Sequence, residues 1–298
     1  MAEVDVAPEP LRGPLAGELA RPDPGDGAVR VYWLGQAGFV LAHGSTRVVI
    51  DPYLSDHLAR KYAGKEFPHR RMAPAPIAPA ELLGVALILC THRHSDHMDP
   101  ETLPALAGAN PEARVVVPAA ERARALAMGV PERQIAAIDA GRRLEARGVT
   151  VEAIPSAHEQ ISQDAEGRCV FLGYAIGLGG LTLYHSGDCV PYPGLAEHLR
   201  RLGVDVALLP VNGRDAYRAS RGVPGNFHAA EAAELCAAAG VGVLVGHHFG
   251  MFEFNTVDPA AAERLLAAGL PGGVAVLARP DAALRLRARA TGAVDRRD

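Results

Sequence analysis

The chain lacks several features, and each lack removes a class of protein. Its four cysteines, Cys90, Cys169, Cys189 and Cys236, are scattered through 298 residues, and no two form a Cys-x-x-Cys pair. That scatter predicts reduced thiols in a cytoplasmic protein rather than a disulfide framework. No apolar stretch approaches the length of about eighteen residues that a membrane helix needs, so no membrane partner is expected. Basic charge is not in excess: the net charge is −4 and the isoelectric point about 6.3, which argues against general nucleic-acid binding. Residues 1–27 have neither the basic start nor the apolar core of a signal peptide. No short-period repeat marks a solenoid.

What is present suffices for a large core, with 49% hydrophobic and 21% charged residues. Residues 1–27 carry five prolines (Pro8, Pro10, Pro14, Pro22, Pro24) and are expected to be a flexible leader before one domain over 28–298. Runs at 29–34, 38–42 and 47–50 read as strands in quick succession. Residues 54–80 form a long basic loop, of the kind that is functional or disordered. Further strands are expected at 85–90, 114–117, 134–138, 149–154, 170–176, 181–184, 204–209, 241–245 and 274–278. Helices are expected from Pro100 with Asp99 as N-cap, and over 119–128, 229–239 and 259–268, with His228 capping the third of these. Strands alternating with helices, the early ones antiparallel, predict an α/β protein of two sheets layered between helices.

The chemistry concentrates in Thr91-His92-Arg93-His94-Ser95-Asp96-His97-Met98-Asp99, directly after the apolar run Val85–Cys90. A strand sends side chains two apart to one face, so His92 and His94 leave its end together, with Asp96 and His97 in the turn that follows. Imidazoles and carboxylates crowded at the carboxyl end of a strand suit a borderline divalent metal such as zinc, manganese or iron. Other predicted strands also end in ligand-type residues: His158, Asp188 and the pair His247-His248. Asp51, at the end of the 47–50 strand, is either a partner that orients a metal-bound histidine or a turn cap.

His-x-His-x-Asp-His after an apolar strand resembles the signature of the metallo-β-lactamase superfamily, and the later His, Asp and His follow in that family's order. The resemblance implies an αββα sandwich holding one or two divalent ions, zinc or manganese ahead of iron. It implies His92, His94 and His158 on one ion, Asp96, His97 and His248 on the other (His247 being the alternative), and Asp188 bridging, with Asp96 and Asp188 serving catalysis. Trp33-Leu34-Gly35-Gln36-Ala37-Gly38, Ile50-Asp51-Pro52-Tyr53, Tyr184-His185-Ser186-Gly187-Asp188 and Arg221-Gly222 further resemble the L-ascorbate-6-phosphate lactonases. That likeness, over roughly 30–280, implies a lactonase-like hydrolase for a small anionic substrate. The 212–221 loop, the leader and the 54–80 loop depart from that family, as does the presence of His158. Arg221, with Asn212 or Arg214 assisting, is expected to bind the substrate's anionic group, since arginine presents a planar fork to carboxylate or phosphate. His185 is read as structural or as support to a ligand. Rival readings are a phosphodiesterase of the same fold and a mononuclear iron persulfide dioxygenase. A homo-oligomer is left open.

Overall fold

A computed structural model describes residues 3–289. Two sheets make its centre. In the eight-stranded sheet the strands lie in the order Val4–Pro10, Ala282–Ala288, Val29–Gly35, Gly38–His43, Thr46–Ile50, Val85–Leu89, Arg114–Pro118, Ile135–Ile138. In the seven-stranded sheet the order is Val274–Leu277, Val243–His247, Val206–Pro210, Leu181–His185, Leu172–Leu178, Val149–Pro155, Arg143–Ala146.

The period-two side-chain alternation of a strand decides what each sheet touches. Val29, Val31 and Trp33 join the core between the sheets, whereas Tyr32 and Leu34 join a second core. In that second core they meet Leu15 and Leu19 of the helix Leu15–Ala20, and Leu103 and Leu106 of the helix Thr102–Ala109. The helices Leu195–Arg201, Ala229–Ala239 and Pro259–Gly269 cover the other sheet through residues such as Leu199, Ala232, Ala233 and Leu266. The layers therefore run helix, sheet, sheet, helix, the αββα sandwich expected. Among the described residues no helix is long and apolar enough to cross a membrane.

The leader is a correction. Residues 4–10 pair antiparallel with Ala282–Ala288, from Val4 opposite Ala288 to Pro10 opposite Ala282. The prolines do not prevent this, because the strand is the outermost of its sheet and a proline there gives up no ladder hydrogen bond. Asp26 and Glu9 both accept from the guanidinium of Arg30, tying the segment to the sheet. The strand over 282–288, which this edge strand needs, also went unread in the sequence.

Other elements follow expectation closely. Gly179 and Gly180, both at positive φ (59° and 76°), turn the hairpin between Leu172–Leu178 and Leu181–His185. The helix after the metal-type motif begins at Thr102 rather than Pro100; Asp99 still caps the turn, accepting from Glu101 N–H at 3.1 Å and Thr102 Oγ1 at 2.5 Å. His228 does not cap its helix through its ring; instead the Glu231 carboxylate accepts from His228 N–H at 2.9 Å.

In each sheet four strands run parallel: 46–50, 85–89, 114–118 and 135–138 in one, and 181–185, 206–210, 243–247 and 274–277 in the other. Asp51, the His92 motif, Asp188 and His248 all follow the carboxyl ends of such strands. That is where open α/β sheets leave their crevice.

Candidate metal centre

The sequence places seven ligand-type residues at strand ends, and the fold brings all seven to one place. One donor atom from each of His92, His94, His158 and Asp188 lies within 4.8 Å of the others, and Asp96, His97 and His248 form a second such group. Asp188 stands between them. Its Oδ1 is 3.2 Å from His97 Nε2 and 3.0 Å from His248 Nε2, and its Oδ2 is 3.7 Å from His158 Nε2. One carboxylate oxygen thus addresses each group, the geometry a bridging ligand requires.

The residues fit the ions they imply. His92 Nε2, His97 Nε2, His158 Nε2 and Asp188 Oδ1 are buried and make no well-formed hydrogen bond within the protein. Buried polar atoms are almost always paired, so four orphans spread over the two adjoining groups fit cations held there. Neutral imidazole and carboxylate donors are the set a zinc or manganese ion takes.

Two of the rings, His92 and His97, are aimed by side chains behind them. Asp51, fully buried at the end of its strand, accepts from Thr91 N–H at 2.8 Å, from Thr91 Oγ1 at 2.6 Å and from His97 Nδ1 at 2.7 Å. Because the Thr91 hydroxyl gives its proton to Asp51, its oxygen accepts from His92 Nδ1 at 3.0 Å. One carboxylate thereby leaves the Nε2 lone pairs of two histidines turned toward the cluster, an outer support of the kind metal sites use. Gly187, at φ 62°, lets the chain pass Thr91 so closely that a Cβ there would lie 2.7 Å from the threonine side chain; this places Asp188. Gln36 is a support that sequence reasoning missed. Its Nε2 donates to Asp96 Oδ2 at 2.9 Å and lies 3.2 Å from His248 Nε2, and its backbone carbonyl accepts from His248 N–H at 3.0 Å.

Comparison with known proteins agrees with this geometry. A family model described as a beta-lactamase superfamily domain matches residues 46–249, which spans every residue of the cluster. The chain belongs to the beta-lactamase superfamily. Among curated relatives of this superfamily member is a protein named UPF0173 metal-dependent hydrolase from Myxococcus xanthus, 27% identical over 260 residues, covering 85% of this chain and 81% of that one. Among solved structures, an isothiocyanate hydrolase from Delia radicum gut bacteria shares the fold with a TM-score of 0.68 at 18% identity, covering 87% of this chain and 100% of that chain. A metallo hydrolase from the hyperthermophilic archaeon Ignicoccus hospitalis aligns with a TM-score of 0.63 at 18% identity, covering 87% and 98%.

Electrostatics in this superfamily member follow from crowding charges out of water. Burial holds His92 well below the ordinary imidazole range and His158 down to about 4, so both stay neutral and able to ligate. Burial opposes charge on Asp188 too, but His248 and His97 beside it win and hold the carboxyl well below its usual range. His97 is pushed the other way: burial disfavours its cation, yet Asp188, Asp51 and Asp96 together raise it.

His247 and His248 part company. His248 Nε2 faces Asp188, while the His247 ring stacks on His185 at 5.0 Å and meets Phe39 edge-on at 5.2 Å, inside the inter-sheet core. His185 is structural, donating from Nε2 to the Ala37 carbonyl and accepting from Gly187 N–H at Nδ1.

The cluster opens into a cleft of about 620 Å³. Arg221 lines it, ion-paired to Glu66 at 2.7 Å and stacked on Tyr217. Asn212 and Arg214 do not reach it. The Asn212 side chain is buried between Asn255 and Asn226, and Arg214 holds Glu231 with both arms at 2.6 Å. The loop turns back onto the following helix, which an arginine count could not reveal. Arg93, Arg124, Phe67, His69, Phe252 and Phe254 line the cleft instead. A larger hollow of about 710 Å³ lies beneath the N-terminal segment, away from every ligand; Arg30 there is already paired with Glu9 and Asp26.

Proposed function

We propose that the protein is a metal-dependent hydrolase acting on a small anionic substrate, with a lactone as the first candidate. The observation that carries the reading is Asp188, a buried carboxylate with one oxygen toward each of two ligand groups, at the floor of an open cleft. The metal-dependent hydrolase name of the Myxococcus relative points the same way.

His92, His94 and His158 would hold one divalent ion, Asp96, His97 and His248 a second, and Asp188 both, with zinc or manganese preferred over iron. A bound ion of this kind supplies hydroxide near neutrality by lowering the pKa of coordinated water from about 15.7 to about 7. The protein's own part is to aim and to hold protons. Asp51 fixes His97 directly and His92 through Thr91. Gln36 occupies Asp96 Oδ2, so the other oxygen is the one left to orient a nucleophile. Asp188, kept ionised, would hold the two ions, so the same Asp96 oxygen is the one placed to accept the nucleophile's proton. Arg221 at the rim is held by Glu66 and adds an anion contact only where the substrate displaces that carboxylate. The four unpaired thiols favour a cytoplasmic setting.

The deciding experiment follows proton release by manganese- or zinc-loaded protein against phosphorylated and plain sugar lactones, with His92→Ala as the blank. Release that disappears in the blank supports the lactonase reading. Silence there, with cleavage of bis(4-nitrophenyl) phosphate, favours the phosphodiesterase instead. Oxygen uptake with a persulfide would overturn hydrolysis altogether.

A further inference from the structure

The chain is poor in aromatic residues, with one tryptophan, seven tyrosines and seven phenylalanines, yet three of the phenylalanines line the cleft above the ligands. Phe67 stacks on Phe254 with ring centroids 4.5 Å apart and planes 19° apart, and Phe252 lies nearly parallel to Phe254 at 5.9 Å. His69 meets Phe254 edge-on at 4.7 Å and stacks on Tyr62 at 4.2 Å. The rings come from two distant segments, the long loop and the stretch after His248, so neither builds the surface alone. Phe67 and Phe254 are only half-buried, leaving ring surface open to the cleft. Apolar surface left open inside a concave site is what ligand pockets have and packed cores do not. His69 holds its place at φ 48° with Nδ1 bonded to the Phe67 carbonyl at 2.6 Å, so the loop's contribution is fixed rather than draped.

The positive charges border the other half. Arg93, between the ligands His92 and His94, and Arg124, from the helix Arg122–Ala127, both line the cleft and are exposed. Neither makes a side-chain hydrogen bond or ion pair among the described residues; both act through space on Glu121, where burial raises the carboxyl above its usual range and their charges act to lower it. Arg221, by contrast, is already engaged by Glu66. The aromatic side lies at the opposite ligand group, since Phe252 and Phe254 follow His248 directly and His69 is near enough to Asp96 to feel its charge.

We propose that the cleft selects an amphiphilic anion: an oxyanion at Arg93 and Arg124, beside the His92–His94–His158 group, and a planar or apolar body on Phe67 and Phe254, beside the His248 group. Substrate then lies across both ligand groups in one sense only. The inference deepens the hydrolase reading and rests on it solely for the scissile bond between the two ends.

The test needs no turnover. Manganese-loaded full-length protein is titrated calorimetrically with phenylphosphonate and methylphosphonate, which share a head group and differ in the ring, so any contact of the head group with metal cancels in the ratio. Phenylphosphonate is expected to bind about tenfold tighter, a difference of ~1.4 kcal/mol. That ratio should fall toward one in Phe254→Ala and again in Phe67→Ala, the second variant guarding against misfolding of the first. Arg124→Gln, outside the ligand motif, should weaken both probes about fivefold at unchanged metal content. Equal binding of the two probes by the unaltered protein, or an Arg124→Gln variant that binds as before, overturns the proposal. Correct binding with no hydrolysis of any substrate would instead sink the hydrolase reading and leave this one standing.

Discussion

At the scale of single residues, a metal donor is set by its side-chain type, whereas what aims it is set by the fold. His92, His94, Asp96 and His97 are visible because a metal needs particular donor types, and donor types are written in the residues. Gln36 is not, because a glutamine's amide matters only where the fold sets it, here 2.9 Å from Asp96. Asp51 lies between these cases: its place after a strand suggested either a support or a turn cap, and its three accepted hydrogen bonds make it the support. The substitution Asp51→Asn tests this. Asparagine keeps the volume, but its amide replaces an ionised acceptor and cannot take all three bonds, so the His97 and His92 rings lose their fixed tautomers. Metal affinity should fall about 10- to 100-fold, the usual range for losing an outer partner of a metal ligand. The melting temperature of the metal-free protein should change much less. A competition titration with a coloured chelator reads the first and a thermal scan the second; an affinity within twofold of the unaltered protein would contradict the assignment.

At the scale of elements, strands buried on both faces were legible as apolar runs, and helices such as Ala229–Ala239 as continuous patterned segments. The N-terminal strand was not, because prolines at 8 and 10 argue against a strand anywhere but the edge of a sheet, and edge position is a property of the whole sheet. Nor was the direction of the 212–221 loop, whose Arg214 turns to Glu231 rather than to the cleft. The fastening of the N-terminal segment can be measured through pH. The Arg30 guanidinium, bonded to Asp26, lowers that carboxyl to about 2 against burial, which acts to raise it. A carboxyl whose folded pKa is depressed stabilises the fold above its unfolded value, near 3.9, and that contribution is lost as pH falls through the folded value. Asp26→Asn should therefore melt below the unaltered protein by a constant interval from pH 7 to pH 5. The gap should narrow between about pH 4 and pH 2. Because the Asp26 side chain is 30% exposed, the interval will be small. A gap that is unchanged at pH 2.5 would show that the asparagine acts by some route other than this ion pair.

At the scale of the molecule, the ligand cluster joins the two sheets by more than apolar packing, alongside hydrogen bonds such as Tyr174 O–H to the Cys90 carbonyl at 2.8 Å. Asp51, the His92 motif and the turn of Gln36 belong to the eight-stranded sheet, whereas His158, Asp188 and His248 follow strands of the seven-stranded one. Without a cation, Asp96 and Asp188 are acidic charges held close together in a poorly hydrated place, compensated in part by the raised His97. A divalent ion held by these residues, as proposed, would neutralise them and clamp one sheet to the other. Ligands that bind only the folded state add stability by mass action, about 4.1 kcal/mol when the free ligand is at 1,000 times its dissociation constant. For a chain of this size roughly 2 °C of melting temperature goes with each kcal/mol, so exhaustive chelation should lower the midpoint by about 8 °C. Zinc or manganese added back should restore it, and magnesium, which prefers oxygen donors and keeps its water, should not. The same scan on Asp188→Ala separates the clamp from a nonspecific effect of the chelator. If Asp188 bridges as proposed, removing its carboxylate should shrink the chelation shift well below about 8 °C, whereas an ion bound elsewhere would leave the full shift in the variant.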